Sequence, residues 1–100
     1  MPGFIQIMEF ETSRIDELEA LMIQFRDERG DALLASKATL TEDRSRPGHY
    51  FVVVEFDSYE EAMKNSDDPA TGEMAEKMNA LLTGPRIFHD LDVRAVMEVR

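Results

Sequence analysis

Few side chains in this sequence are equipped for chemistry, and their types narrow what that chemistry can be. His49 and His89 are the only imidazoles, and there is neither cysteine nor tryptophan. Without cysteine there is no disulfide framework, thiolate metal site or sulfur nucleophile. Nothing pairs with either histidine at metal-ligand spacing, so no bound metal is expected. His89 is the foremost candidate for a base. It interrupts the apolar series Ile87, Leu91, Val93, Ala95, Met97 and Val99, which places its ring on the covered side of a sheet. A histidine closed in an apolar site can act as a neutral base near pH 7. The plain alternative is a strand-end histidine with one satisfied hydrogen bond. His49, beside Gly48 at a loop end, is expected to be solvated.

Other residues could hold a substrate. Asn65 precedes a helix break, where an amide could stabilise developing negative charge or simply cap the helix. Met63, Met74 and Met78 are adaptable side chains that could line an irregular cavity, although methionine at helical spacing is ordinary core. Tyr50 and Tyr59 could donate to a phenol or quinone oxygen, and Phe56 adds aromatic surface; such residues also pack. Arg86, after Pro85 at the mouth of the last strand, could meet an anionic group or stay a surface arginine. There is no glycine-rich phosphate loop, no Gly-x-Ser-x-Gly elbow and no dinucleotide fingerprint, which disfavours nucleotide-dependent chemistry.

The elements that must position these groups follow from periodicity. Phe4 to Phe10 reads as a strand, and Ile15, Leu18, Leu21, Met22 and Phe25 recur at helical spacing after a cap at Thr12 or Ser13, with Gly30 closing the helix. Ala32 to Thr41 and Tyr50 to Phe56 read as strands paired in a hairpin across the polar loop Glu42–Gly48. Ser58-Tyr59-Glu60-Glu61 is a capping box, and Asp68-Pro69 restarts the helix, whose apolar face (Met74, Met78, Leu81, Leu82) ends at Gly84-Pro85. From Ile87 to Val99 the period is two. The order β-α-β-β-α-β predicts one α+β domain over residues 1–100, a ferredoxin-like four-stranded antiparallel sheet with a broken second helical region.

One hundred residues suffice for one core, and 43% hydrophobic with 32% charged residues is globular composition. A net charge of −10 repels phosphate backbones and anionic lipid heads, so neither nucleic acid nor membrane is an expected partner. No run approaches a membrane span, and Met1-Pro2-Gly3-Phe4 lacks the pattern of a signal peptide, so a cytoplasmic location is expected. Tyr50 to Val54 and Phe56 are apolar on both faces of their strand. Two helical regions cannot cover both faces of a sheet, so a homodimer is expected, the second copy supplying the missing cover.

The segment Tyr50-Phe51-Val52-Val53-Val54-Glu55-Phe56-Asp57-Ser58-Tyr59-Glu60-Glu61-Ala62-Met63 resembles the dimeric α+β barrel superfamily, specifically small proteins grouped with antibiotic-biosynthesis monooxygenases. The Asn65-Ser66-x-x-Pro69 break and the closing Phe88-His89-Asp90-Leu91-Asp92-Val93 strand extend the resemblance over nearly the whole chain. It implies a dimer with facing sheets and a ligand held between sheet and helices. It also implies oxygenation of a small phenolic or quinol-type cyclic compound without any cofactor, with His89 and Asn65 as catalytic candidates. Tyr50, Phe56, Met63, Met74, Met78 and Arg86 would then line the site. The alternatives are a non-catalytic ligand-binding or accessory dimer and, less in keeping with the residues, a haem-binding protein. Catalytic members often carry Trp where this chain has Phe56-Asp57, and many carry His where it has Lys64-Asn65, which weakens both the oxygenase and the haem implication.

Overall fold

Caps written in the sequence set most of the element boundaries in the computed structural model, which describes residues 3–99. The leader reading at Met1-Pro2 and the final polar position, Arg100, fall outside those residues. The chain runs β1 (Phe4–Glu11), α1 (Ile15–Arg29), β2 (Ala35–Glu42), β3 (His49–Phe56), α2 (Tyr59–Asp67), α3 (Pro69–Asn79) and β4 (Ile87–Asp92). Ser58 caps α2 by accepting the Glu61 N–H at 3.1 Å. Asp68 caps α3 by accepting the Ala70 N–H at 2.9 Å, with Pro69 in the first turn. Gly30 closes α1 at φ 50°, a conformation that favours glycine. The other end of α1 differs from expectation. Arg14 is its N-cap without a side-chain bond, while the Thr12 hydroxyl accepts the Arg14 N–H just outside the helix.

The four strands form one antiparallel sheet in the order β2-β3-β1-β4, the ferredoxin-like arrangement expected from sequence. Three boundaries are corrected. Strand β2 starts at Ala35 rather than Ala32, because Gly30–Ala32 form a short 3₁₀ turn closed by the Leu33 N–H on Gly30 O. Helix α3 ends at Asn79, ahead of Leu81 and Leu82. Strand β4 stops at Asp92 rather than running to Val99. Asp92 pairs with Phe4, the first residue of β1, and one further bond joins Val93 N–H to Gly3 O.

Register divides the sheet cleanly. Even-numbered residues of β1 and β3 face the helices: Phe10 and Val52 pack with Leu18, Met74 and Met78, while Phe4 and Phe56 pack with Ala62. Odd-numbered residues of β1, β3 and β4 share the other face, which no helix among the described residues covers.

Candidate functional site

Two places in this architecture bring chemistry-bearing side chains together, one on each face of β1 and β4. On the helix-free face, Glu9 of β1 projects between the two neighbouring strands. His49, the first residue of β3, reaches it from one side with Nε2 2.8 Å from Glu9 Oε2. His89 of β4 reaches it from the other with Nε2 3.2 Å from Glu9 Oε1. The second ring nitrogen of His49, Nδ1, lies 3.4 Å from Glu11 Oε1. Arg46, from the β2–β3 loop, stands 3.9 Å from Glu9 and also pairs with Asp43. Hydrogen bonds from His89 and then His49 hold the Glu9 carboxyl below the usual carboxylate range. Around the cluster the face is apolar, with Ile5, Ile7, Phe51, Val53, Ile87 and Leu91 on it; the Phe51 ring meets the His49 ring edge-on at 5.4 Å.

On the helix side, the rim formed by β1 and the start of β4 carries Arg86. Its guanidinium sits 5.0 Å from the centre of the Phe88 ring, and Nη1 lies 3.4 Å from Met8 Sδ. Burial pushes the Arg86 pKa down. Among the described residues it has no carboxylate partner, in a chain carrying −10. The Phe88 residue itself is 48% exposed. Two residues further along, Gln6 Nε2 donates to Asp90 Oδ1 at 3.0 Å.

The residues singled out from sequence are therefore divided. His89 was expected on the covered side of the sheet; it stands on the helix-free face with its side chain 46% exposed. The physical reason is that alternation sorts a strand into two faces without saying which one the helices cover. The sheet separates it from Met63, Met74 and Met78. His49 was expected to be solvated and is buried, because it opens β3 rather than ending the loop. Tyr50, Phe56, Met74 and Met78 are all buried, within the two core clusters. Tyr50 stacks on Phe10 at 6.0 Å, and burial, followed by the charge of Glu42, raises its phenol pKa. Met63 is half-buried against the Phe4–Phe56 cluster. Asn65 is half-buried on α2, its carbonyl accepting the Asp68 N–H that closes the helix. Tyr59 is half-exposed, edge-on to Phe4 at 5.3 Å.

Sequence reasoning missed Glu9 as a site residue. The available signal was the switch to acids, Glu9 and Glu11, on the odd-numbered side of β1 after Ile5 and Ile7, but the partners of Glu9 come from strands 40 and 80 residues away. A groove of about 700 Å³, lined by Phe4, Phe56, Val93 and Val96 among others, opens at the far end of the sheet and contains neither cluster.

No family model and no curated sequence matches the chain. Solved structures do. SnoaB, a cofactor-independent oxygenase from Streptomyces nogalater studied as a mutant, superposes with TM-score 0.79 at 14% identity, covering 95% of this chain and 96% of that one. A Caulobacter crescentus protein provisionally named an antibiotic biosynthesis monooxygenase gives 0.79 at 12% identity, covering 93% and 91%. A Bordetella bronchiseptica protein with the same provisional name gives 0.78 at 17% identity, covering 97% and 100%. Over more than nine-tenths of its length, the chain shares the fold of the antibiotic-biosynthesis-monooxygenase-like proteins, a dimeric α+β barrel family.

Proposed function

We propose that this chain is a cofactor-independent, monooxygenase-type enzyme that acts, as a homodimer, on a small cyclic compound bearing a phenolic or quinol hydroxyl. The observation that carries the reading is Arg86: a half-buried guanidinium without a carboxylate partner among the described residues, laid over an aromatic ring. A neutral phenol is a poor reactant toward oxygen, whereas its anion is electron-rich. A fixed cation beside the ring oxygen stabilises that anion in a partly dry setting, where a charge is worth more than in water. Phe88 offers a flat surface for the ring, and Met63 and Asn65 on the same side of the sheet are the further proposed contacts. The proton leaves at the exposed rim. Dioxygen then places one atom on the ring carbon and loses the other as water, so that phenol plus O2 gives quinone plus water.

The homodimer is part of the proposal. The helix-free face spans four strands about 4.8 Å apart and up to eight residues at about 3.3 Å each, roughly 500 Å² in projection. That is of the order of one side of a standard interface, about 800 Å² of accessible surface. Its apolar residues Ile87 and Leu91 are half-exposed in the single chain.

Oxygen uptake tests the enzyme reading. Purified protein offered a panel of phenols and quinols should consume oxygen with at least one of them, and Arg86→Gln should lower kcat/KM by about a hundredfold with unchanged melting. Uptake that survives Arg86→Gln overturns the assignment. His89→Gln decides the base: a fall of about a hundredfold would return that role to His89, and full activity would assign it to the other face alone.

A second reading, a non-catalytic ligand-binding or accessory dimer, is favoured by the closure of Tyr50, Phe56, Met74 and Met78 into the core. It is distinguished by calorimetric binding of the same compounds without oxygen uptake. Haem binding is removed as an option if haem added to the protein shows no shift of its Soret band.

A further inference from the structure

The chain has two histidines, and both converge on one carboxylate from different strands. They do so on the face that the proposed function gives to a second copy. We infer that self-association through this face is proton-linked, with protons taken up by the Glu9–His49–His89 cluster tightening the dimer. The inference rests on the homodimer reading above.

The sign follows from the geometry. Both ring nitrogens of His49 face carboxylate oxygens, Nε2 toward Glu9 and Nδ1 toward Glu11. A neutral imidazole has one N–H and can satisfy only one of them; the imidazolium donates to both. His89 donates to the remaining Glu9 oxygen through Nε2. The other charged groups facing the cluster are Arg46, 3.9 Å from Glu9 and itself paired with Asp43, both from the β2–β3 loop. Within a single chain, Glu11 is exposed and the side chain of His89 is 46% exposed, so water serves whatever the protein leaves unpaired. A second sheet laid over the face removes that water. Two carboxylates with neutral imidazoles would then carry uncompensated negative charge in a poorly solvated setting, while two carboxylates with imidazolium partners balance. The covered face therefore binds protons more tightly than the free one, and by linkage the dimer tightens as pH falls through the histidine range.

Histidine is the side-chain type whose ordinary charge change falls between pH 6 and 8, which makes that interval the one to compare. A net uptake of one proton across one pH unit changes an association constant tenfold.

The test is equilibrium sedimentation of the full chain at pH 6 and pH 8 in the same salt, with subunit exchange between isotope-labelled and unlabelled protein as a second measure if the dimer is too tight to dissociate. The expected result is a Kd lower at pH 6 by about tenfold or more across the two pH units, or correspondingly slower exchange. Glu9→Gln and His49→Gln should each flatten that dependence while retaining circular dichroism of the wild type. A dimer with equal Kd at both pH values, or tighter at pH 8, overturns the proton link and leaves the homodimer standing. A pH dependence that persists in both variants overturns the assignment to this cluster. A monomer under both conditions overturns the link together with the homodimer, whereas loss of oxygen uptake alone bears on neither.

Discussion

The two faces of the sheet are made from the same strands and solve opposite problems. Toward the helices, β1 and β3 place Phe4, Phe10, Val52 and Phe56, each 4% exposed or less, and the chain covers them by itself. Away from the helices the same strands place Ile5, Ile7, Phe51 and Val53, which are only half-buried, and β4 adds Ile87 and Leu91. That second face carries the Glu9 cluster, in which both histidines are bonded. One face is finished by intramolecular packing; the other keeps half-exposed apolar residues around a polar cluster. A strand apolar on both sides thus reports that each face favours burial, while the helices of the chain account for only one of them.

Substitutions that separate the faces should separate stability from association. Phe10→Ala empties a closed site beside Tyr50 and Leu18, and chemical denaturation should show a loss of about 3–5 kcal/mol. A loss below 1 kcal/mol would mean the helix face is less tightly closed than its burial implies. Val53→Asp, directed to the other face, should leave a folded chain but weaken the dimer by on the order of a hundredfold or more, because an unpaired carboxylate would be buried between sheets. Sedimentation checks it; a Val53→Asp dimer of unchanged Kd would show that this face is not the interface.

A smaller effect tests the local order behind the helix face. Ser58→Ala removes the bond to the Glu61 N–H and should cost about 1 kcal/mol in thermal or denaturant melts, with no effect on association. The smallest concerns acid. The folded chain holds Glu9 below its ordinary value of 4.5, so its contribution is fully present above that pH and is lost as pH falls through the lowered value. Glu9→Gln should therefore make the acid limb of a melting-versus-pH curve shallower; an unchanged limb would place the acid sensitivity elsewhere.

The elements were legible wherever the information was local. The Ser58 and Asp68 caps, Gly30 at the end of α1 and the polar loop between β2 and β3 are each decided within a few residues, and the strand order follows from their sequence. What escaped was set by register. The alternation from Ile87 to Val99 is real, yet strand β4 ends at Asp92, opposite Phe4 at the start of β1, so its extent follows its pairing with another strand. His89 was placed on an alternating stripe correctly and on the wrong side of the sheet, since the covered side depends on where the helices pack. Glu9 and His49 could not be joined from sequence because the cross-strand register that brings them together is a long-range fact. Arg86 was singled out as a cation at a strand mouth, but its lack of a carboxylate partner among the described residues emerges only in three dimensions.

One junction also bears on how the chain assembles in time. Thr12 is buried; its hydroxyl donates to Leu81 O and its N–H to Gly48 O, while the neighbouring Glu11 carbonyl accepts from Thr83. Three connections, one after β1, one in the β2–β3 hairpin and one after α3, are thus stitched at a single point by residues far apart in the chain. Such stitches form only after long loops have closed, which costs entropy early and returns energy late. No half of the chain can complete this rim alone, so its amides should exchange with solvent only when the whole domain opens.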